Sequence, residues 1–360
     1  MAAIWDNLHY SFRAIDGYNK AINFVMSPRE PGKSTAMWFQ KIYTAWKKNK
    51  HPWYIGVRNA VEITDAYIDS IQDTIINKFS DDNIKLSYKS GDFKGGIVDV
   101  YIGTEKFFRI VAFSCKLRKI KQALLEDAEG FFMDEYIIDP QTGEKYLQGE
   151  FFKLKEAYTT WKRGYHGKGM FKMYFCGNPY SLFNPLFVGL KVEINKLKRD
   201  SFYIGNDYVI HWAVLNPLLK EKLLKENPFY KFDEEYSNYA IEGMAVQDAN
   251  IKIGVLPNSY KLQFIFKYDN IFIGVYRNYS YEIGEDKFFI KQLSKKETVN
   301  KSILCLDFSE MIERSILIGK DERLYLAIFK NAMRTRAITF ENINLYYMTK
   351  EIYSQIWKVL

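Results

Sequence analysis

The strongest constraint on this chain is the passage 22–34. Residues 22–27 (INFVMS) form a short apolar run, which reads as a buried strand. The run leads into the turn-rich loop Ser27-Pro28-Arg29-Glu30-Pro31-Gly32-Lys33-Ser34. From Thr35 to Lys48 (TAMWFQKIYTAWKK) apolar residues recur at helical spacing, and the segment ends in lysines, as a helix C-terminus prefers. Strand, loop and helix in that order turn backbone N–H groups and a helix N-terminus toward whatever the loop encloses, an arrangement suited to phosphate oxygens. The loop fits G-x-x-x-x-G-K-[ST], the Walker A phosphate loop, except at its first position, where Ser27 replaces glycine. Pro28 and Pro31 each remove a potential donor. In this pattern Lys33 reaches the β- and γ-phosphates and Ser34 ligates Mg²⁺. A chance surface loop is the plain alternative.

A phosphate loop needs acids elsewhere. Phe131-Phe132-Met133-Asp134-Glu135 is an apolar strand running into two carboxylates. Asp134 would hold Mg²⁺ through water, and Glu135 would act as general base toward the attacking water. Such a pair points to a hydrolase rather than a kinase that must exclude water. Nucleotide, ATP, is then expected on Ser27 through Thr35, with Asn178 at the end of the strand FKMYFCGN (171–178) facing the γ-phosphate or the water. Turn chemistry alone could also explain Gly177-Asn178-Pro179. Arg163, beside Lys162 just past a helical stretch, is placed to enter a neighbouring subunit's site as an arginine finger. A solvated basic pair is the alternative, and Arg58 is a further candidate.

Around these motifs strands and helices alternate. WYIGVR (53–58) reads as a strand, about 61–79 as a helix, 97–103 and 107–114 as a hairpin, 130–138 as a buried strand and 150–162 as a helix. Alternation implies a mostly parallel α/β sheet. Two strands around Gly205-Asn206 follow, and 216–243 is charged and helical, broken at Pro228. Beyond about residue 250 short aromatic strands dominate (261–278, 287–293), with helices expected near Ser309–Ile318 and from about Glu322 onward. At about 100–200 residues per domain, 360 residues suggest two domains. The expected division is an ATPase domain over 1–215, a helical linker or lid over 216–250 and a second α/β domain over 251–360.

The formal charge of +8 favours a polyanionic partner such as nucleic acid or a membrane surface. Cys115, Cys176 and Cys305 are too scattered for a disulfide framework or a zinc site, which fits a reducing intracellular compartment. His9, His51, His166 and His211 show no metal-ligand spacing. No apolar run approaches the ~18 residues of a membrane span, and MAAIWDNLHY has no signal-peptide layout. A soluble protein with no membrane partner is expected.

Four stretches together resemble the DNA-packaging ATPases of tailed phages, in the short, terminase-like form of phi-twenty-nine-type small podoviruses. They are YNKAINFVMSPREPGKSTAM (18–37), YIGVRN (54–59), FFMDEYI (131–137) and YFCGNPYSLFNPLF (174–187); beyond about residue 190 the likeness is mainly in 264–278. The resemblance implies a P-loop NTPase of the additional-strand, catalytic-glutamate class. It also implies that Arg29, within the loop, senses phosphate during catalysis. By family position Arg163 or Lys162 would be the trans-acting finger, with Lys121 or Arg118 also acting across the interface; WKRGYHGKG is longer than the family pattern there. Five subunits would form a ring at the portal of a procapsid in the host cytoplasm and draw in double-stranded DNA. A packaging RNA is a further conceivable partner, and the motor would leave before the virion matures. The C-terminal domain would be a degenerate RNase H-like nuclease. The residues agree with degeneration, because a metal nuclease needs acids on adjacent strand ends, whereas here Asp269 sits at a hairpin turn and Asp307 alone.

Two other readings stay open. One is a cellular-type ring translocase or helicase of the same ATPase class. The other is a nucleic-acid-binding structural protein with a dead nucleotide site, against which the complete set Lys33, Ser34, Asp134 and Glu135 argues.

Overall fold

The computed structural model describes residues 8–357 except 80–81, 140–141, 143, 167–168, 183, 233–236, 238–240, 242–250, 269–270, 280–286, 307, 309–310, 320–321 and 324–325. The chain divides into two compact units. One comprises Met1–Val192 with Lys196–Gln247, the other Glu193–Asn195 with Asp248–Leu360.

The first unit is built on β1 (Ile22–Met26), β2 (Trp53–Val57), β3 (Leu86–Ser87), β4 (Ile97–Ile102), β5 (Glu105–Ala112), β6 (Gly130–Met133), β7 (Lys172–Gly177), β8 (Ser201–Ile204) and β9 (Tyr208–Trp212). They form one nine-stranded sheet in the order β3-β4-β5-β2-β6-β7-β1-β9-β8. From β5 through β9 every neighbouring pair is parallel, and β3, β4 and β8 add antiparallel edges. The inner strands are predominantly apolar because both of their faces are covered. Every residue of β2 and β6 is buried. Within the core Phe24 stacks on Phe175 at 4.9 Å and meets Phe187 edge-on at 5.3 Å.

Gly32 opens the helix after β1. Its φ of 73° lies in the left-handed region that glycine enters at little cost, and its carbonyl accepts from Ala36 N at 2.8 Å. The helix runs through Lys33–Ala36, Met37–Tyr43 and Thr44–Asn49, with wider π-type turns in the middle. Helix Asp65–Ile76 is capped by Thr64, whose side chain accepts from Tyr67 N, and it buries Ile68, Ile71 and Ile75. That spacing is the one an amphipathic helix requires.

Three sequence expectations change. The strand read over 130–138 ends at Met133, because the chain turns at Asp134 and Glu135 takes a φ of 51°. In the segment read as helix near Ser309–Ile318, Ser315–Leu317 is a strand, since pairing with Ile303–Cys305 outweighs local helical propensity. The helical stretch read from Glu322 is interrupted by strand Ile338–Phe340, between helices Ala327–Arg334 and Ile343–Trp357. Most of the expected linker beyond Phe232, and both Asp269 and Asp307, lie outside the described residues.

The second unit carries β10 (Lys252–Ile253), β11 (Lys261–Tyr268), β12 (Ile271–Arg277), β13 (Phe288–Leu293), β14 (Ile303–Cys305), β15 (Ser315–Leu317) and β16 (Ile338–Phe340). Its sheet order is β10-β16-β13-β12-β11-β14-β15. β11, β12 and β13 are antiparallel, and β14 and β15 continue parallel to β11. Phe329 of helix Ala327–Arg334 packs against Phe264, Phe266 and Phe288 at centroid distances of 5.5, 5.9 and 5.7 Å.

Candidate active site

In a parallel sheet, ligand sites form beyond the C-terminal ends of the strands. β1, β6 and β7 end together there. The loop after β1, the acids after β6 and Asn178 after β7 enclose a cavity of about 510 Å³. Its walls carry Arg29 through Thr35, Asp134, Glu135, Gly177 and Asn178, and also His9 and Lys78. Ser27 and Pro28 are buried behind it. The hydroxyl of Ser27 donates to Pro28 O at 3.0 Å, and Ser27 N donates to Gly177 O at 3.2 Å. The main chain at Ser27 thus ties the loop to β7, as glycine there also could, and the hydroxyl adds a bond within the loop.

Lys33 is 7% exposed, and its ammonium donates to Pro28 O at 3.2 Å and to Asn178 Oδ1 at 2.9 Å. Burial lowers its pKa, opposed by Cys176, Asp134 and Glu135. Asn178 is therefore more than a turn residue, because it holds the loop lysine from the neighbouring strand. The Arg29 guanidinium donates to Tyr180 Oη at 2.8 Å and lies 3.6 Å from the Asp139 carboxylate. Glu30 takes a φ of 72°, beside Pro31 and Gly32.

Burial raises the pKa of Asp134, opposed by a hydrogen bond from Ser34 and by the charge of Lys33. The pairing of Ser34 with Asp134 brings together two hard oxygen donors at the loop. Among the described residues no group of three or more His, Cys, Asp or Glu could hold a metal by itself. Two protein oxygens nevertheless suit Mg²⁺, which keeps waters and takes substrate phosphates. Glu135 is reached by solvent but stands against the cavity wall. Partial desolvation and then the Asp134 charge raise its pKa, while Arg29 and Lys33 oppose the shift. Two neighbouring acids pushed upward in a cleft beside a buried lysine make this cleft the candidate reactive site.

The remaining expected residues fall elsewhere. Arg163 is exposed on the turn Lys162–Gly164. Asp127 N donates to Gly164 O at 2.8 Å, which puts that turn by the N-terminal end of β6, opposite the cavity. Lys162 lies over the Tyr158 ring at 5.4 Å, Lys121 pairs with Glu156 at 2.9 Å, and Arg118 is exposed. Arg58 is buried and spends its donors inside its own subunit, on Glu150 and on the carbonyls of Glu135 and Tyr136. It is not free to act as a finger.

Sequence reasoning missed His9, Lys78 and Tyr67. His9 reaches the loop because Tyr10 N donates to Pro31 O at 2.8 Å, and a side chain at position 32 would meet the His9 ring at 3.3 Å. Tyr67 stands near both acids, and burial, Asp134, Glu62 and Glu135 raise its pKa. None of the three belongs to a local motif that could have announced it.

The sheet has the strand order of the additional-strand P-loop fold expected from the sequence. β7 is the additional strand, inserted between the loop strand β1 and the acid strand β6. The chain matches 99% of the Phi-28 gp11 DNA packaging motor over 99% of its own length, with a TM-score of 0.68 and 16% sequence identity. It likewise matches the bacteriophage Phi-29 viral genome packaging motor assembly, with a TM-score of 0.65, 18% identity and coverage of 97% of this chain and 100% of that one. The resemblance carried by 18–37, 54–59, 131–137 and 174–187 thus holds at the level of the fold. No protein-family model matches the sequence, and no curated protein does. No described helix is long and apolar enough to cross a membrane.

Proposed function

We propose that this chain is an ATP-driven motor that moves viral double-stranded DNA into a procapsid, with hydrolysis coupled around a homo-oligomeric ring. The observation that carries the proposal is one cavity shared by Lys33, Ser34, Asp134, Glu135 and Asn178, on a fold held in common with two viral packaging motors. The β- and γ-phosphates of ATP would lie on the loop amides and draw Lys33 away from Pro28 and Asn178. Ser34 and Asp134 would hold Mg²⁺, which supplies charge neutralisation at the phosphates. Glu135 would accept a proton from water as the water oxygen bonds to the γ-phosphorus and the bond to ADP breaks, leaving ADP and phosphate. Its upward-shifted pKa suits that task, since a base is most effective when its pKa approaches the working pH.

A pentameric ring at the portal, in the host cytoplasm, is the setting that best fits this reading. Arg163, on the far end of the sheet from its own loop, would serve a neighbour's site. Mixing Arg163→Ala with Glu135→Gln subunits tests this, because mixed rings contain interfaces with both groups intact and should regain activity. If mixed rings form and stay inactive, the finger lies elsewhere, with Lys162, Lys121 and Arg118 next. The order of β11, β12, β13, β14 and β15 supports an RNase H-like ancestry for the second unit.

The direct experiment measures ATP turnover with and without duplex DNA, and co-assembly with a portal ring. DNA should stimulate turnover. Binding should ignore sequence and weaken steeply with salt, since backbone contacts release counterions. A strong preference between two unrelated duplexes, or no salt dependence, would contradict a translocating motor.

A further inference from the structure

Arg58 closes β2 and is 4% exposed, and its partner Glu150, at the start of helix Glu150–Trp161, is 3% exposed. Arg58 Nε donates to Glu150 Oε1 at 3.3 Å and Oε2 at 3.1 Å, and Nη2 donates to Oε1 at 3.1 Å. Glu150 also accepts from Leu147 N at 2.9 Å. The other donations of the guanidinium go to main chain: Nη2 to Tyr136 O at 3.0 Å and Nη1 toward Glu135 O at 3.5 Å. These two carbonyls flank the turn in which Glu135 holds its φ of 51°. From the opposite side Tyr136 N donates to Cys176 O at 3.2 Å.

A buried ion pair is a poor way to gain stability, because desolvation offsets most of the attraction and apolar residues of similar volume often do as well. An apolar pair could not donate to two carbonyls. A lysine could donate to two carbonyls but, with its donors on a single nitrogen, could not at the same time take the Glu150 carboxylate side-on as the planar fork does. A left-handed turn at a glutamate is an unfavourable conformation that persists only where its surroundings impose it. The fork of Arg58, oriented by Glu150, holds the carbonyls of this turn, while Glu135 N donates to Asp134 Oδ1 at 3.1 Å and Tyr136 N to Cys176 O.

We propose that Arg58 is a positioning residue for hydrolysis: anchored on Glu150, it fixes the Glu135-Tyr136 turn and thereby aims the Glu135 carboxylate at the attacking water. The inference rests on the reading of Glu135 as general base. It gives this arginine a role within its own subunit and predicts a defect in turnover without a defect in nucleotide binding.

The test compares Arg58→Lys, Glu150→Gln and the double variant Arg58→Met/Glu150→Met with the full-length protein, beside Glu135→Gln as control. The double variant removes the pair without stranding a buried charge, so it stays informative if a single variant fails to fold. ATP turnover, affinity for a fluorescent ATP analogue and melting temperature are read on each. Because a misplacement of about 1 Å can cost about a hundredfold, the double variant should lose ~10- to 100-fold in kcat while analogue affinity stays within about twofold. Arg58→Lys should fall between it and the wild type. Glu150→Gln, which leaves Arg58 in place with an amide acceptor, should lose least. A folded double variant turning over within about twofold of wild type would make Arg58 purely structural and overturn the proposal. So would a loss of analogue affinity that matches the loss of turnover. An active Glu135→Gln control would instead bring down the assignment of the base, and this inference with it.

Discussion

The two sheets finish their strands in different chemistry. In the first unit β1, β6 and β7 end at Met26, Met133 and Gly177, and the residues just beyond them, among them Asp134 and Asn178, converge on one cavity with a buried lysine. In the second unit the described ends of β11, β12, β14 and β15 are Tyr268, Arg277, Cys305 and Leu317, and the neighbouring cavity is walled largely by apolar residues such as Leu262, Phe264, Ile265 and Leu304. Both units bury aromatic cores. Each also buries a lysine to 7% exposure, Lys33 in the first and Lys267 in the second; what separates them among the described residues is that two carboxylates, Asp134 and Glu135, share a cavity with Lys33. On the function proposed above, nucleotide chemistry belongs to the first sheet.

The largest effect expected from this contrast follows removal of the base. Glu135→Gln should keep ATP affinity and lose ~10²- to 10⁴-fold in turnover, the usual contribution of a positioned general base. Lys33→Ala should lose affinity and turnover together. Fluorescence titration beside a phosphate-release assay separates the two patterns. Near-normal turnover in Glu135→Gln would remove the ground for placing the reaction in the first unit.

pH sharpens the contrast by a smaller factor. The pKa of Glu135 is raised by desolvation and by Asp134. The base is therefore lost to protonation at a higher pH than an ordinary glutamate would be. Turnover should be full above that raised value and fall about tenfold per pH unit below it, with the midpoint above the usual glutamate range. A kcat profile measured at saturating ATP, with melting checked at each pH, tests this. A flat profile down to the ordinary glutamate range would show that the carboxylate is not perturbed when nucleotide is bound.

The smallest expected effect on nucleotide is in the second unit. Phe329 is 1% exposed, and Phe329→Ala should destabilise that unit by ~3–5 kcal/mol, the usual cost of such a cavity. Affinity of the first unit for the ATP analogue should change by less than about twofold. Calorimetry read beside nucleotide titration distinguishes the two. Equal losses in both would mean that the units do not divide their tasks.

Much of the site was legible in the sequence because its parts are local. Apolar INFVM before the loop, the spacing Gly32-Lys33-Ser34 and the apolar run into Asp134-Glu135 each encode an element and its chemistry within a few residues. The same local logic misread Ser309–Ile318, where the strand Ser315–Leu317 exists through its partner β14. It also extended the acid strand past Met133, since an apolar run does not reveal a turn imposed from outside.

The sequence by itself determined that a strand-loop-helix with the Gly32-Lys33-Ser34 spacing and an acid pair exist, because strand and helix periodicity and fixed motif spacing are properties of consecutive residues. Only the tertiary structure decided that β7 lies between β1 and β6 and so brings Asn178 to Lys33, 145 residues away. It alone decided that His9 covers Gly32, and that Arg58 reaches Glu150 across 92 residues to grip the turn at Glu135. These contacts join residues with no local relation, and their energies come from burial and from donor geometry that exist only once the sheet has formed.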